Sequence, residues 1–386
     1  MVERVEGELP APPRAALPFG GRTIALRQLD FALAWGAERI VCLAAGLEPA
    51  VIALQHGAEG EGARFNLVNG ARSLLGLVAG DDDVLVLADG LLPLSHRALE
   101  VLEQGRTVLL LEAEAGVAAG FERVDLNHAW AGALAVPGAL VERLGTLPPD
   151  VEPVSALLRV ALQARIPERL LPQAVLGSGS WSLVSAADQL ARREATWLGG
   201  ELANVSPVAP GSWLVRKLVG RTGAELLRKG TKPAAFAAGG AVFALGGVAA
   251  ASQAWPAAGL LLAGVAWLLA EASGGLRSIA RAGIHRKAGP EWPWQLLSWV
   301  IDAAFVAILA LTAEGALQER LFAPFMLLGL LRIAPRLVKG KIAAALGDRA
   351  VLAALLAIAA AAGGLASTVQ ALAILLLALF LAPLRS

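Results

Sequence analysis

The sequence predicts a cytoplasmic α/β domain joined to an all-α, six-helix transmembrane bundle, on three observations. From Ala234 onward, apolar runs of about fifteen to twenty-two residues recur, close to the roughly 20 that a helix needs to cross hydrocarbon. Cations collect in every second loop between those runs. Before residue 230, short apolar runs alternate with helical patterns, as they do in α/β domains.

The first half divides as follows. Residues 39–44 and 84–88 are short apolar runs bounded by polar or glycine signals, the pattern of buried parallel strands, and residues 107–111 repeat it. A helix is predicted from Ala25 to Trp35, with Leu26, Leu29 and Leu33 on one face and Gly36 as its stop. An amphipathic helix follows over 153–165. This is a βαβ layout, doubly wound and Rossmann-like. Asp89 is its informative residue, because the carboxyl end of a strand in such a sheet opens onto the ligand crevice. The bland alternative is a turn residue before Gly90.

Residues 1–200 are thus the soluble domain, 201–232 a cationic amphipathic juxtamembrane segment, and 233–386 the membrane domain. Spans are predicted at 234–253, 256–273, 292–313, 320–336, 349–366 and 368–384. Cations precede the first span (Arg216, Lys217, Arg221, Arg228, Lys229, Lys232) and separate the second from the third (Arg277, Arg281, Arg286, Lys287). A third group (Arg336, Lys339, Lys341, Arg349) separates the fourth from the fifth. The positive-inside bias then puts both termini in the cytoplasm of a bacterial-type inner membrane, with the chain crossing it repeatedly.

Composition narrows the function. A net charge of +1, with the cations gathered beside the apolar runs, argues against nucleic acid and for anionic headgroups or phosphates as partners. Cys42 is the only cysteine, which excludes an internal disulfide. The four histidines (His56, His96, His128, His285) are too scattered for a metal site by spacing. Pro10, Pro12, Pro13 and several charges stand where a signal peptide would need its apolar core.

Pro18-Phe-Gly-Gly-Arg22, Gln28-Leu29, Gly36 and Arg39-Ile-Val41 resemble the segment after the signature loop of sugar-phosphate nucleotidyltransferases. Leu87-Ala-Asp-Gly90 looks like that family's strand-end acid, which implies Asp89 as a ligand of Mg²⁺ against nucleotide phosphates. Trp181 to Asp188 resembles the strand and helix that close the domain. The family's glycine-rich triphosphate loop has no counterpart before Pro18, so weak or absent nucleotidyl transfer is expected.

The membrane half resembles the CDP-alcohol phosphatidyltransferase family, whose motif DxxDGxxARx8GxxxDxxxD runs from the second span into the third. In this register Glu271 stands at the first acid, Gly274 at the second, Gly275 at the glycine, Ser278 at the alanine and Ile279 at the arginine. Ser298, Asp302 and Val306 fall at the later glycine and the last two acids, after a loop about ten residues longer than the motif allows. The resemblance implies Asp302 and Glu271 as catalytic residues and ligands of Mg²⁺ or Mn²⁺, with Gly275, Arg277 and Arg281 binding substrate. It also implies transfer of a phosphoalcohol from a CDP-alcohol to a hydroxyl acceptor, in phospholipid or inositol-phosphate diester synthesis. Expected partners are membrane lipids, a CDP-alcohol and a second copy of the chain as a homodimer.

Chemistry weighs against full activity. Four carboxylates balance two divalent ions, whereas two leave surplus positive charge, and Val306 cannot accept a proton. A catalytically inactive scaffold or regulator of a lipid synthase, keeping both folds, is therefore the competing reading. A transporter is the weakest, for want of a matched pair of broken spans. Asp302, costly inside a bilayer, requires a partner, with Arg277, Arg281 and Arg332 as candidates. Its alternative role is one half of a structural ion pair.

Overall fold

The computed structural model describes residues 13–148, 151–184, 187–202, 207–281, 292–338 and 340–381. The chain divides into two compact units, one running to Trp197 and the other beginning at Leu198. Arg286, Lys287, His285, Lys339 and the prolines Pro10 and Pro12 lie outside the described residues.

The first unit opens with the hairpin β1 (Pro18–Phe19) and β2 (Arg22–Thr23), then α1 (Ile24–Trp35). Thr23 caps α1 by accepting from the N–H of Leu26 at 3.3 Å, and Gly36 ends it in the left-handed conformation with φ 101°. The glycine stop is thus set by backbone geometry that a side chain would strain. Next come β3 (Arg39–Leu43), α2 (Pro49–Gly60) and β4 (Arg64–Val68), with β3 and β4 parallel in a βαβ unit. The chain continues through β5 (Asp83–Leu87), β6 (Leu91–Pro93), α3 (His96–Glu103), β7 (Thr107–Glu112), α4 (Ala113–Ala118), β8 (His128–Pro137) and α5 (Ala139–Glu142). It closes with α6 (Pro153–Gln163), β9 (Glu168–Leu170), α7 (Ala174–Gly177), β10 (Trp181–Leu183) and α8 (Ala187–Leu202).

The sheet corrects the expectation of parallel strands throughout. Four strands are ordered β5-β8-β7-β9, with β8 antiparallel to both neighbours and β7 parallel to β9. The strand at 84–88 therefore pairs antiparallel. The cause is β8, a ten-residue strand buried over nearly its whole length, which lies between β5 and β7. Its residues Ala129, Ala131, Ala133 and Ala135 pack with Leu109, Leu111 and Phe121, while Leu134 and Val136 face the cluster around Leu157 and Ala161. Trp181 is fully buried, its indole N–H donating to Ala131 O at 2.7 Å.

The second unit is all helix: α9 (Pro210–Arg228), α10 (Pro233–Ser252), α11 (Pro256–Arg281), α12 (Trp292–Thr312), α13 (Leu317–Leu337), α14 (Lys341–Gly347), α15 (Arg349–Ala361) and α16 (Leu365–Leu381). Three of these, α10, α11 and α12, are long and apolar enough to cross a membrane, and a fourth span results if the bent pair α14 and α15 counts as one. The sequence expectation of six spans counts α13 and α16 besides, each of which departs from a plain apolar span. Helix α13 carries Glu319, Arg320, Arg332 and Arg336 and two internal prolines. Helix α16 has 17 residues, about 25 Å at 1.5 Å per residue against a core of ~30 Å.

Small residues let the first two long helices approach closely. A Cβ on Gly247 would stand 2.7 Å from Gly259 O, and one on Gly259 would stand 2.6 Å from Gly247 O. Such backbone contact substitutes for the hydrophobic drive that lipid surroundings remove. Phe305, Ile308, Leu327 and Leu356, all fully buried, join α12, α13 and α15 in one core.

Candidate functional site

Helices α11, α12, α13 and α15 surround a cavity of about 230 Å³ lined by Glu271, Arg277, Asp302, Arg332 and Arg349. Helical spacing places Ser298 and Asp302 one turn apart on α12, both facing α13. The Arg332 guanidinium spans them, with Nη1 2.5 Å from Asp302 Oδ2 and Nη2 donating to Ser298 Oγ at 3.0 Å. It also lies over the Trp299 ring at 3.7 Å, a cation–π contact that fixes its plane.

Arg349, the first residue of α15, completes the cluster. Its Nε donates to Asp302 Oδ1 at 3.2 Å and its Nη1 to Leu346 O at 3.0 Å, with the residue only 6% exposed. Both oxygens of Asp302 are thus engaged by guanidinium groups, and the side chain is 13% exposed. Of the candidate partners, Arg332 makes the contact; Arg277 and Arg281, which lie on the last turns of α11 and not in a loop, do not make it. The missed residue was Arg349. Its signal was the pair Asp348-Arg349 before an apolar run, the mark of a helix start.

Arg277 lines the same cavity and stacks on Trp294 at 3.8 Å. Glu271, half-buried on α11, also faces it, and among the described residues makes no hydrogen bond or ion pair. Gly275 lies outside the cavity lining, buried where α9 packs on α11. A Cβ there would stand 3.2 Å from Val219 Cγ1. Arg281, at the end of α11, is likewise absent from the lining. The structure therefore brings Glu271, Arg277 and Asp302 together, and adds Arg332 and Arg349 to them.

The donor set does not fit Mg²⁺ or Mn²⁺. Among the described residues, Glu271 and Asp302 are the only carboxylates lining the cavity, and the second is neutralised by two arginines. Three guanidinium groups around so small a space repel a divalent cation and attract an anion. Among the described residues, no group of three or more His, Cys, Asp or Glu side chains is placed to hold a metal.

Asp89 belongs to the other unit. It follows β5, at the mouth of a cleft of about 1540 Å³ between β3 and β5. Gly90 beside it has φ 75°, and a Cβ there would meet Val184 O at 3.0 Å. Cys42 and Arg14 line the same cleft. Burial pushes the Cys42 thiol up from its ordinary pKa, and the Asp89 carboxylate adds to the shift.

No protein-family model matches the chain, and no curated protein matches it in sequence.

Proposed function

We propose that this protein binds a phosphate-bearing headgroup, in the manner of CDP-alcohol phosphatidyltransferases but without metal-assisted transfer. The observation that supports this most is the arginine-rich cavity. Arg277, Arg332 and Arg349 converge on a space walled by apolar helix, where water competes poorly for their hydrogen bonds. The membrane location, with both termini cytoplasmic, and the six-span arrangement are part of the same reading, supported by the loop charges. So is an α/β unit that has kept a nucleotidyltransferase-like layout without its phosphate loop. The protein then acts as a scaffold or regulator beside a lipid synthase.

A second reading is active phosphoalcohol transfer. Glu271 favours it, since an acid facing the cavity with no bonded partner among the described residues has the reach of a general base. The two readings separate in one experiment on detergent-solubilised protein, using CDP-glycerol with and without Mg²⁺. Calorimetry is expected to show binding that needs no Mg²⁺ and is lost in Arg277→Ala, with no CMP released to an acceptor alcohol. Mg²⁺-dependent CMP release that Glu271→Gln abolishes would establish the second reading. Absence of binding to the unaltered protein would remove both.

A further inference from the structure

The cavity among α11, α12, α13 and α15 has a carboxylate on one wall and guanidinium groups on others. Successive turns of α11 give it Trp267, Glu271, Gly274 and Arg277, all on one helix face. Arg277 stacks on Trp294, so the end of α11 is level with the start of α12. At Gly247 of α10 an added Cβ would meet both Gly259 O and the Ile308 side chain, so α11 and α12 run antiparallel. Glu271 is about 9 Å along its axis from Arg277, and Ser298 and Asp302 are about 6 and 12 Å from Trp294, at 1.5 Å per residue. Glu271 therefore stands at the depth of the cluster that joins Asp302 to Arg332 and Arg349.

The two carboxylates of the cavity keep different company. Asp302 has a guanidinium on each oxygen. Glu271 makes no hydrogen bond or ion pair among the described residues, and Arg216 of α9 acts on it only from beyond ion-pair distance. A charged acid among apolar helices is costly without a counter-charge beside it. A cation carried by the ligand supplies one. The three guanidinium groups oppose a single positive charge less than they oppose a divalent ion. Trp267, one turn before Glu271 on the same face, adds an aromatic side chain, and aromatic rings attract ammonium groups. Arg277, Arg332 and Arg349, for their part, outnumber Asp302 and attract an anion.

We propose, resting on the phosphate-binding reading of this cavity, that the headgroup it takes is zwitterionic: a phosphate ester whose short arm ends in an ammonium group. The phosphate meets the guanidinium groups, and the ammonium meets the Glu271 carboxylate. Asp302 cannot take that part, since both its oxygens are engaged. The cavity of about 230 Å³ holds on the order of eight waters at ~30 Å³ each, room for a phosphate and a two-carbon arm. A glycerol or inositol headgroup brings hydroxyl groups alone and leaves the Glu271 charge unmatched. Glu271 is thus the residue that sets specificity, by penalising headgroups without a cation.

Calorimetry on the full chain in detergent with EDTA tests this, using glycerophosphoethanolamine against glycerophosphoglycerol. Both are phosphate diesters, and only the first has an ammonium group. The unaltered protein is expected to bind the first at least tenfold more tightly. Glu271→Gln should remove that preference and leave the affinity for glycerophosphoglycerol within twofold, while Glu271→Asp, which keeps the charge, should retain part of it. Equal binding of the two probes by the unaltered protein, or a preference that survives in Glu271→Gln, overturns the proposal and leaves the phosphate-binding reading standing. Binding of neither probe overturns both. Competition then separates the sources of the ligand. Displacement of glycerophosphoethanolamine by dihexanoyl-phosphatidylethanolamine at lower concentration than by O-phosphoethanolamine marks a lipid headgroup, the reverse order marks a soluble phosphate ester, and displacement by neither overturns the proposal.

Discussion

Asp348 Oδ2 accepts a hydrogen bond from the backbone N–H of Gly211 at 2.6 Å, while its Oδ1 accepts from the N–H groups of Ala350 at 3.0 Å and Val351 at 3.3 Å. One carboxylate, 2% exposed, therefore caps the first turns of both α9 and α15. Two helix N-termini, each with partial positive charge, stabilise the same anion. Losing both caps in Asp348→Ala is expected to cost about 2–3 kcal/mol, given ~1 kcal/mol for a typical cap and more when buried. Gly211→Ala reaches the same contact from the other side, because its Cβ would stand 2.6 Å from Asp348 Oδ1. Melting curves of the two single variants and the double variant should be strongly non-additive. Additive losses would mean the two residues act separately.

The ion cluster in the helical unit makes an asymmetric prediction. Asp302→Asn leaves Arg332 and Arg349 converging on an uncharged group, with an expected loss of about 3–5 kcal/mol. Arg332→Gln leaves the Arg349 contact in place and should cost less, since Arg332 is 30% exposed against 8% for Arg349. Thermal unfolding in detergent with that order reversed would show that Arg349 contributes little.

Several elements were legible because their signals are local. Helix α1 lies where the spacing of Leu26, Leu29 and Leu33 and the stop at Gly36 put it, and α6 begins with Pro153 after a Glu152 cap. Strands β3, β5 and β7 match short apolar runs within a residue or so. Strand β8 went unread because Ala129-Trp-Ala-Gly-Ala-Leu-Ala-Val136 has neither alternation nor many β-branched residues. Its strand character comes from burial between β5 and β7. In the site, the need of Asp302 for a partner followed from the cost of a buried acid. Arg332 stood among the candidates for that partner and Arg349 did not, because the start of α15 meets α12 only through tertiary packing.

Cys42 predicts a pH dependence. Its thiol is held neutral by burial in the folded chain, so its folded pKa lies above the ordinary value of about 8.5. The unfolded chain loses this proton first as pH rises. Stability from the neutral thiol is therefore complete below about pH 8.5 and is lost as pH climbs through the raised folded value. The melting temperature of the unaltered protein should fall above pH 8.5 more steeply than that of Cys42→Ala. Iodoacetamide should label Cys42 slowly until denaturant is added. Parallel curves and rapid native labelling would place the thiol in solvent.

The last prediction concerns how the final helices cross. Helix α15 has 13 residues, about 20 Å, which falls short of a core of ~30 Å, and it meets α14 at a 56° bend. If α15 and α16 are the fifth and sixth spans, the turn after α15 lies on the side opposite the cationic loops. If they form a hairpin that enters and leaves by one side, that turn is within the bilayer. Ala362→Cys in a Cys42→Ala background places a unique thiol at this exposed turn. A membrane-impermeant maleimide added to intact cells should label it, while the same reagent should label Lys232→Cys only after permeabilisation. Failure to label Ala362→Cys from either side, with Lys232→Cys behaving as stated, would show α15 and α16 to be re-entrant. The spans would then number four, with the charge alternation fixing the orientation of those alone.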